Sequence, residues 1–314
     1  MEIGDIGGEF KLIERITKKG GAIVGIGDDA AVMEPPKRRL QLITCDMLCE
    51  GDHFRLDWAS PKQIGEKVME VNVSDIAAMG GEPTYAVIAL SLTEKTDVEF
   101  MDGLYEGIYA SCERHGFKLI GGDTTRGKAC TVSVTVLGEV EKENLSLRSD
   151  AKVGDLICVT GYLGGSTAGL NLLLRGVEGD TKDHLEPRCR LNAARMIAPH
   201  CNAMIDVSDG LASEVGHICD ESGVGARVYK DRIPLSASTK DSAEKLGMDP
   251  YEFALSGGED FELVFTIPEE RILNIEVNCP ITVVGEIVDG KEGRTLISGD
   301  GEQPLEGGYD HFSE

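Results

Sequence analysis

Residues 60–83 read SPKQIGEKVMEVNVSDIAAMGGEP, and their spacing decides the first structural element. Ser60 suits an N-cap and Pro61 the first turn of a helix, while Gly80, Gly81 and Pro83 suit its end. Apolar Ile64, Val68 and Val71 fall on one stripe. The next step of that stripe is Asp75, with Asn72 on the same side. The helix therefore aims a carboxylate and an amide inward. An unpaired buried charge is strongly unfavourable, so something must offset it. Such an Asp can cap a neighbouring element or pair with an Arg. Lys62 and Lys67 fall on other faces, so a cation taken from solvent fits better.

Working outward, Val98 to His115 reads as a second helix, with Thr96 and Glu99 as a capping-box pair and Gly116 past its end. Met101, Leu104, Tyr105, Ile108 and Cys112 make its stripe. Leu40 to Met47 reads as a strand ending near Asp46. A short strand FKLI leads into a loop, GGDTTRG. Residues 130–140 alternate cleanly: Val132, Val134 and Val136 face one way, and Thr131, Ser133 and Thr135 the other. That pattern predicts a half-buried antiparallel strand. Upstream, Glu9 to Thr17 suggests a short helix, and residues 22–33, with GIGDDAAV, a strand-turn-strand. The polar stretch from Lys142 to Gly154 marks a domain boundary, dividing residues 1–144 from 145–314. Beyond it the pattern gives strand LICVTG, a Gly-rich turn into a helix over Ser166–Leu174, and a helix over Leu191–Ile197. Strand AMIDV, a helix over Leu211–Ser222 and strands FELVFTI and ITVVGEI follow. Each half mixes strands with helices, so the class is α/β or α+β. VTVLGEV (134–140) echoes ITVVGEI (281–287). Chance between two strands, or duplication of the halves, would produce such a match.

The 314 residues are 41% hydrophobic and 27% charged, an ordinary globular composition for two domains. Lys and Arg number 31 against 55 acidic residues, a net charge of -24. Such a surface repels nucleic acid and anionic lipid, which disfavours both as partners. MEIGDIGGEF has neither the basic nor the apolar region of a signal peptide, and no apolar run is long enough to span a bilayer. Nine scattered cysteines lack zinc spacing and read as reduced thiols of a cytoplasmic protein.

The acids recur beside glycines and small residues at the ends of apolar strands: Asp28, Asp29, Asp46, Asp123, Asp206, Asp209, Glu259 and Asp260. One such Asp is usually a turn residue; the recurrence across both halves argues for more. The cluster is all oxygen, which selects Mg²⁺, Ca²⁺ or Mn²⁺ over zinc, and no EF-hand loop is present. Mg²⁺ held by a few carboxylates usually shares phosphate oxygens. Gly121-Gly122-Asp123 lets a backbone approach such a ligand. Gly164-Gly165-Ser166-Thr167 opens a helix, whose N-terminus favours anions or simply starts a helix. There is no P-loop and no protein-kinase signature.

GIGDDAAV, TCDMLCEGDHF, VNVSDIAAMGGEP, LIGGDTTRG, DVSDGL, SGGEDFEL and GGYDHF occur in that order, within a resemblance that runs from Gly8 to Phe312. Together they resemble the thiamine-monophosphate kinase family of the aminoimidazole-ribonucleotide-synthetase-like superfamily. The resemblance implies two mixed-sheet domains, with the N-terminal ones pairing as a homodimer through their sheets and the C-terminal one completing the active site. It implies conversion of ATP and thiamine phosphate to ADP and thiamine diphosphate with several Mg²⁺ ions. It places Asp29, Thr44, Cys45, Asp46, Asp75, Asp123, Asp206 and Asp209 around metals. Tyr105, Gly122, Asp123, Arg148 and Ser208 would contact ATP, and His53, Glu259 and Tyr309 thiamine phosphate. Cys45 stands where the family often has a hydroxyl residue, so a metal contact there would use its backbone carbonyl. An aromatic ring such as Tyr309 suits a cationic thiazolium. His53 would donate to the acceptor phosphate or orient it. The alternatives are other superfamily activities, the cyclising synthetase or selenide, water dikinase, or a non-catalytic metal-nucleotide module. The dikinase uses a reactive Cys or selenocysteine near its N-terminus, which MEIGDIGGEF lacks.

Overall fold

The computed structural model describes residues 33–309 together with Leu12, Arg15 and Ile16. The expected strand-turn-strand at 22–33, including Asp29, lies outside the described residues but for its last position. So does most of the expected helix at 9–17, although Leu12, Arg15 and Ile16 are helical. The chain divides into two compact units, Met1–Ile76 with Glu82–Glu141, and Ala77–Gly81 with Lys142–Glu314.

The first unit holds β1 (Leu40–Cys49), α1 (Pro61–Ala78), β2 (Glu82–Leu92), α2 (Val98–His115), β3 (Lys118–Arg126) and β4 (Thr131–Val140). Its sheet runs β1-β4-β2-β3. β4 is antiparallel to both neighbours, whereas β2 and β3 are parallel, joined across α2 in the way parallel strands require. Val132, Val134 and Val136 on β4 and Ala86, Ile88 and Leu90 on β2 are buried on one face, with Ile64 and Val68 of α1 and Met101, Leu104 and Ile108 of α2 also in the core. The two helices touch backbone to backbone. A Cβ on Gly65 would stand 2.0 Å from Leu104 O, and one on Gly107 2.0 Å from Lys62 O, so only glycine permits this approach.

Ser60 caps α1 in a reciprocal box: its N–H donates to Gln63 Oε1 (2.9 Å) and Gln63 N–H donates to Ser60 Oγ (3.3 Å). α2 spans the expected residues, but its cap is Asp97, which accepts from Phe100 N–H at 2.7 Å, in place of the Thr96–Glu99 pair. β1 continues three residues past Asp46, which therefore sits inside the strand. GGDTTR forms strand instead of loop, because Gly121 to Arg126 pair in register with Val87 to Leu92. β2 itself follows directly on the glycines that end α1.

The second unit holds β5 (Leu156–Thr160), α3 (Gly165–Arg175), α4 (Lys182–Leu185), α5 (Leu191–Ile197), β6 (Ala203–Asp206), α6 (Leu211–Ser222), β7 (Val224–Tyr229), α7 (Ala237–Leu246), α8 (Pro250–Ser256), β8 (Leu263–Ile267), β9 (Ile281–Asp289), β10 (Arg294–Ser298) and β11 (Gly301–Pro304). Seven strands run β11-β10-β7-β9-β5-β8-β6, all antiparallel save β7–β10. Ile157, Val159, Ile205, Val264 and Val284 of this sheet join Leu211, Val215 and Ile218 of α6 in one core. The two echoing segments occupy like places: β4 lies between β1 and β2, β9 between β7 and β5, and Gly138 and Gly285 each sit beside a register shift. Among the described residues, no helix is long and apolar enough to cross a membrane.

Candidate active site

In the first unit the site begins on β1 and α1. Strand alternation turns Thr44 and Asp46 toward the helix layer and leaves Cys45 exposed on the other face. Asn72, fully buried, uses both ends of its amide: Nδ2 donates to Val68 O (2.8 Å) and Oδ1 accepts from Asp46 N–H (3.0 Å). It thus fixes β1 against α1. Asp75, the next inward step, is half-buried, not fully enclosed, and accepts from the Thr44 hydroxyl. Burial first, then the charge and hydrogen bond of Asp75, pushes Asp46 up to about 7. Two carboxylates this close share a proton unless a cation takes its place. The donors are all hard oxygens, which fits Mg²⁺.

His53 follows β1 in a tight turn. Its Nδ1 accepts from Cys49 N–H at 3.3 Å and lies 3.5 Å from Asp52 Oδ2. Lys67 is buried instead of standing on an outer face, and its ammonium donates to His53 O at 3.1 Å. Tyr105 is buried on the inner stripe of α2, 6.0 Å from the Tyr109 ring between centroids, and burial pushes its hydroxyl upward. Gly122 and Asp123 lie on β3, the strand at the far side of the sheet from β1. Register carries Asp46 through Val134 and Ile88 to Gly122, and Met47 through Ser133 and Ala89 to Asp123. Asp46 and Asp123 therefore occupy opposite faces, about 14 Å apart across three strand spacings. One sheet does not bring them together.

In the second unit three motif loops meet. Glu259 N–H donates to Ser208 O (2.8 Å), Phe261 N–H to Val207 O (2.9 Å) and Tyr309 N–H to Asp209 O (3.0 Å). Glu259 and Phe261 both hold left-handed backbone, at φ 64 and 50. Each such residue costs on the order of 1 kcal/mol or more, which these hydrogen bonds offset. Asp206 is buried at the end of β6, while Tyr309 is exposed. Arg148 is exposed, and its carbonyl accepts from Ser222 Oγ at 2.8 Å.

Two residues here carried no sequence signal of their own. Glu214, on the first turn of α6, accepts from Asp209 N–H at 2.9 Å and pins the DVSDG loop; burial pushes it up to about 7. His184 on α4 stands beside Glu259. The helix start at 164–167 is already served from within: Asp260 accepts from Gly164 N–H (2.6 Å) and Ser166 N–H (3.2 Å). Asp260 is thus a cap, and its carboxyl group occupies the start of α3.

Residues 27–140 match the AIR synthase related protein N-terminal domain and residues 152–297 its C-terminal domain. The chain is 37% identical over 312 residues to a thiamine-monophosphate kinase of Aquifex aeolicus (strain VF5), covering 97% of this chain and 98% of the relative. It is 36% identical over 326 residues to that of Bacillus subtilis (strain 168), covering 97% and 99%. Among solved structures it resembles AaThiL complexed with AMPPCP and TMP, at 36% identity and a TM-score of 0.81, over 99% of both chains.

Proposed function

The chain belongs to the thiamine-monophosphate kinase family, and we propose that it transfers the γ-phosphoryl group of ATP to thiamine phosphate, giving ADP and thiamine diphosphate. The observation that carries this reading is the Thr44–Asp46–Asp75 oxygen cluster, in a chain similar throughout to one solved with AMPPCP and TMP.

The acceptor is itself a phosphate, ionised at neutral pH, so little general base is needed. The obstacle is repulsion between two anions that must align for attack. Mg²⁺, when bound, supplies the positive charge that offsets it. In the first unit Thr44, Asp46, Asp75 and the Cys45 carbonyl would hold such ions, joined by Asp29. His53 would donate to the acceptor phosphate or orient it. Tyr105 and Gly122 would contact the nucleotide, and Asp123 both nucleotide and metal. In the second unit Asp206 and Asp209 would take metal, Arg148 and Ser208 the nucleotide, and Glu259 and Tyr309 the cationic thiamine end. Transfer is direct, with no side chain acting as a covalent nucleophile. Residues 1–144 form the nucleotide, metal and dimer domain, and 145–314 the second domain.

We also infer a homodimer. The outward face of β1 exposes Ile43 (69%), Met47 (54%) and Cys45, an apolar strip at a sheet edge. A second copy laying its β1 beside β3 would cover that strip. All nine cysteines are free, which fits the reducing cytoplasm.

Incubating the protein with ATP, Mg²⁺ and thiamine phosphate and separating the products by chromatography tests the reaction. Thiamine diphosphate should accumulate. Thiamine phosphate left intact, or equal use of unrelated phosphate acceptors, would refute it.

A further inference from the structure

The main chain of Glu259 is fixed by its hydrogen bond to Ser208 O and its left-handed backbone. Its side chain still has three torsions to settle, and a binding carboxylate must point one way to be useful. His184 stands where it can settle them. The imidazole is buried, its side chain 3% exposed against 24% for Glu259. Nδ1 lies 3.4 Å from Glu259 Oε2 and 3.2 Å from Ser166 Oγ. α3 packs close to the stem of this side chain: a Cβ at Gly169 would stand 3.2 Å from His184 Cβ.

A carboxylate only accepts hydrogen bonds, so attraction at this distance requires the hydrogen on Nδ1. The Ser166 hydroxyl rotates freely enough to accept from the same nitrogen. We propose that His184 is a positioning residue: its Nδ1–H holds the Glu259 carboxylate in the orientation that receives the cationic heterocycle of the acceptor. The inference rests on Glu259 being an acceptor contact, as argued above. It adds the reason the carboxylate keeps one direction, and it identifies the part of the ligand concerned. A carboxylate attracts the positively charged ring, which is the part of the acceptor it would serve.

Steady-state kinetics of the whole enzyme test this, with KM measured separately for thiamine phosphate and ATP in Glu259→Gln, His184→Leu and His184→Asn. Glu259→Gln should raise KM for thiamine phosphate and leave that for ATP in place. His184→Leu should raise KM for thiamine phosphate about tenfold, by more than kcat falls, again sparing ATP. His184→Asn should recover most of the loss, since its amide N–H falls near the position of Nδ1–H. If Glu259→Gln is impaired while His184→Leu is not, the positioning role is overturned and Glu259 stands. If Asn is as poor as Leu, or KM for ATP rises equally, His184 is merely structural and the proposal fails. If Glu259→Gln has the parental KM, the reading of Glu259 falls and takes the proposal with it. Absence of any thiamine diphosphate from the parent enzyme is a separate result, and it overturns the reaction itself. Should His184→Leu not fold, ¹⁵N NMR of the histidine-labelled parent decides. An Nδ1–H tautomer whose signal moves in Glu259→Gln supports the proposal; an Nε2–H tautomer unmoved by that change defeats it.

Discussion

Asp75 on α1 faces Asp46 on β1, and burial first, then the charge and hydrogen bonding of Asp75, pushes Asp46 up to about 7. Without a cation the pair is self-repelling. Asp75→Asn keeps the shape and removes one charge. The metal-free variant should melt no lower than the metal-free parent. Activity should fall about a hundredfold or more, a loss of nearly 3 kcal/mol of transition-state stabilisation. Mg²⁺ with a non-hydrolysable ATP analogue should raise the melting temperature of the parent much more than that of the variant. Thermal melts with and without metal check this; a purely structural Asp75 predicts a destabilised variant with an unchanged Mg²⁺ response.

Asp260 gives a pH prediction. Although the residue keeps some exposure, its carboxyl end is enclosed, and burial pushes it up to about 8 against the pull of the two backbone N–H donors. An Asp in the unfolded chain titrates near pH ~4. Between about pH 4 and 8 the unfolded state has lost a proton that the native state retains, so rising pH favours unfolding. The contribution is fully present below the lower value and lost as pH passes the upper. Asp260→Asn has no such titration. The stability advantage of the parent over this variant should therefore be larger at pH 5 than at pH 8, measured by denaturant melts. A constant or widening gap would contradict the assignment.

The long helices were legible because their caps and stripes are local: α1 and α2 have the expected bounds, and α6 likewise. β2 was not, since Pro83 and the glycines before it read as an ending. GGDTTR looked like a loop for the same reason, and only its parallel partner makes it a strand. The chemistry of the site was legible as residue types: oxygen donors at the ends of apolar runs. Its geometry was not. That Asp46 meets Asp75 but lies across the sheet from Asp123, that Asp260 serves a helix, and that Glu214 and His184 brace the loops all depend on partners distant in sequence. A lone Glu or His carries no such information.

Ile43 tests the dimer. It is 69% exposed on the outer face of β1, paired in register with Leu137. Ile43→Lys puts a charge into the strip that a second copy would cover, at little cost to the isolated fold. Light scattering should show a dimer for the parent and a monomer for the variant, with activity falling as the dimer is lost. A parent that is monomeric and fully active at micromolar concentration would refute the dimer.

The central claim is direct transfer from ATP to the phosphate of thiamine phosphate. The most direct measurement follows the γ-phosphorus of labelled ATP in the presence of Mg²⁺ and thiamine phosphate. The label should appear in the terminal phosphate of thiamine diphosphate, one for each ADP formed, with no labelled protein isolated on quenching. Label released only as inorganic phosphate, or trapped on the protein, would contradict the account.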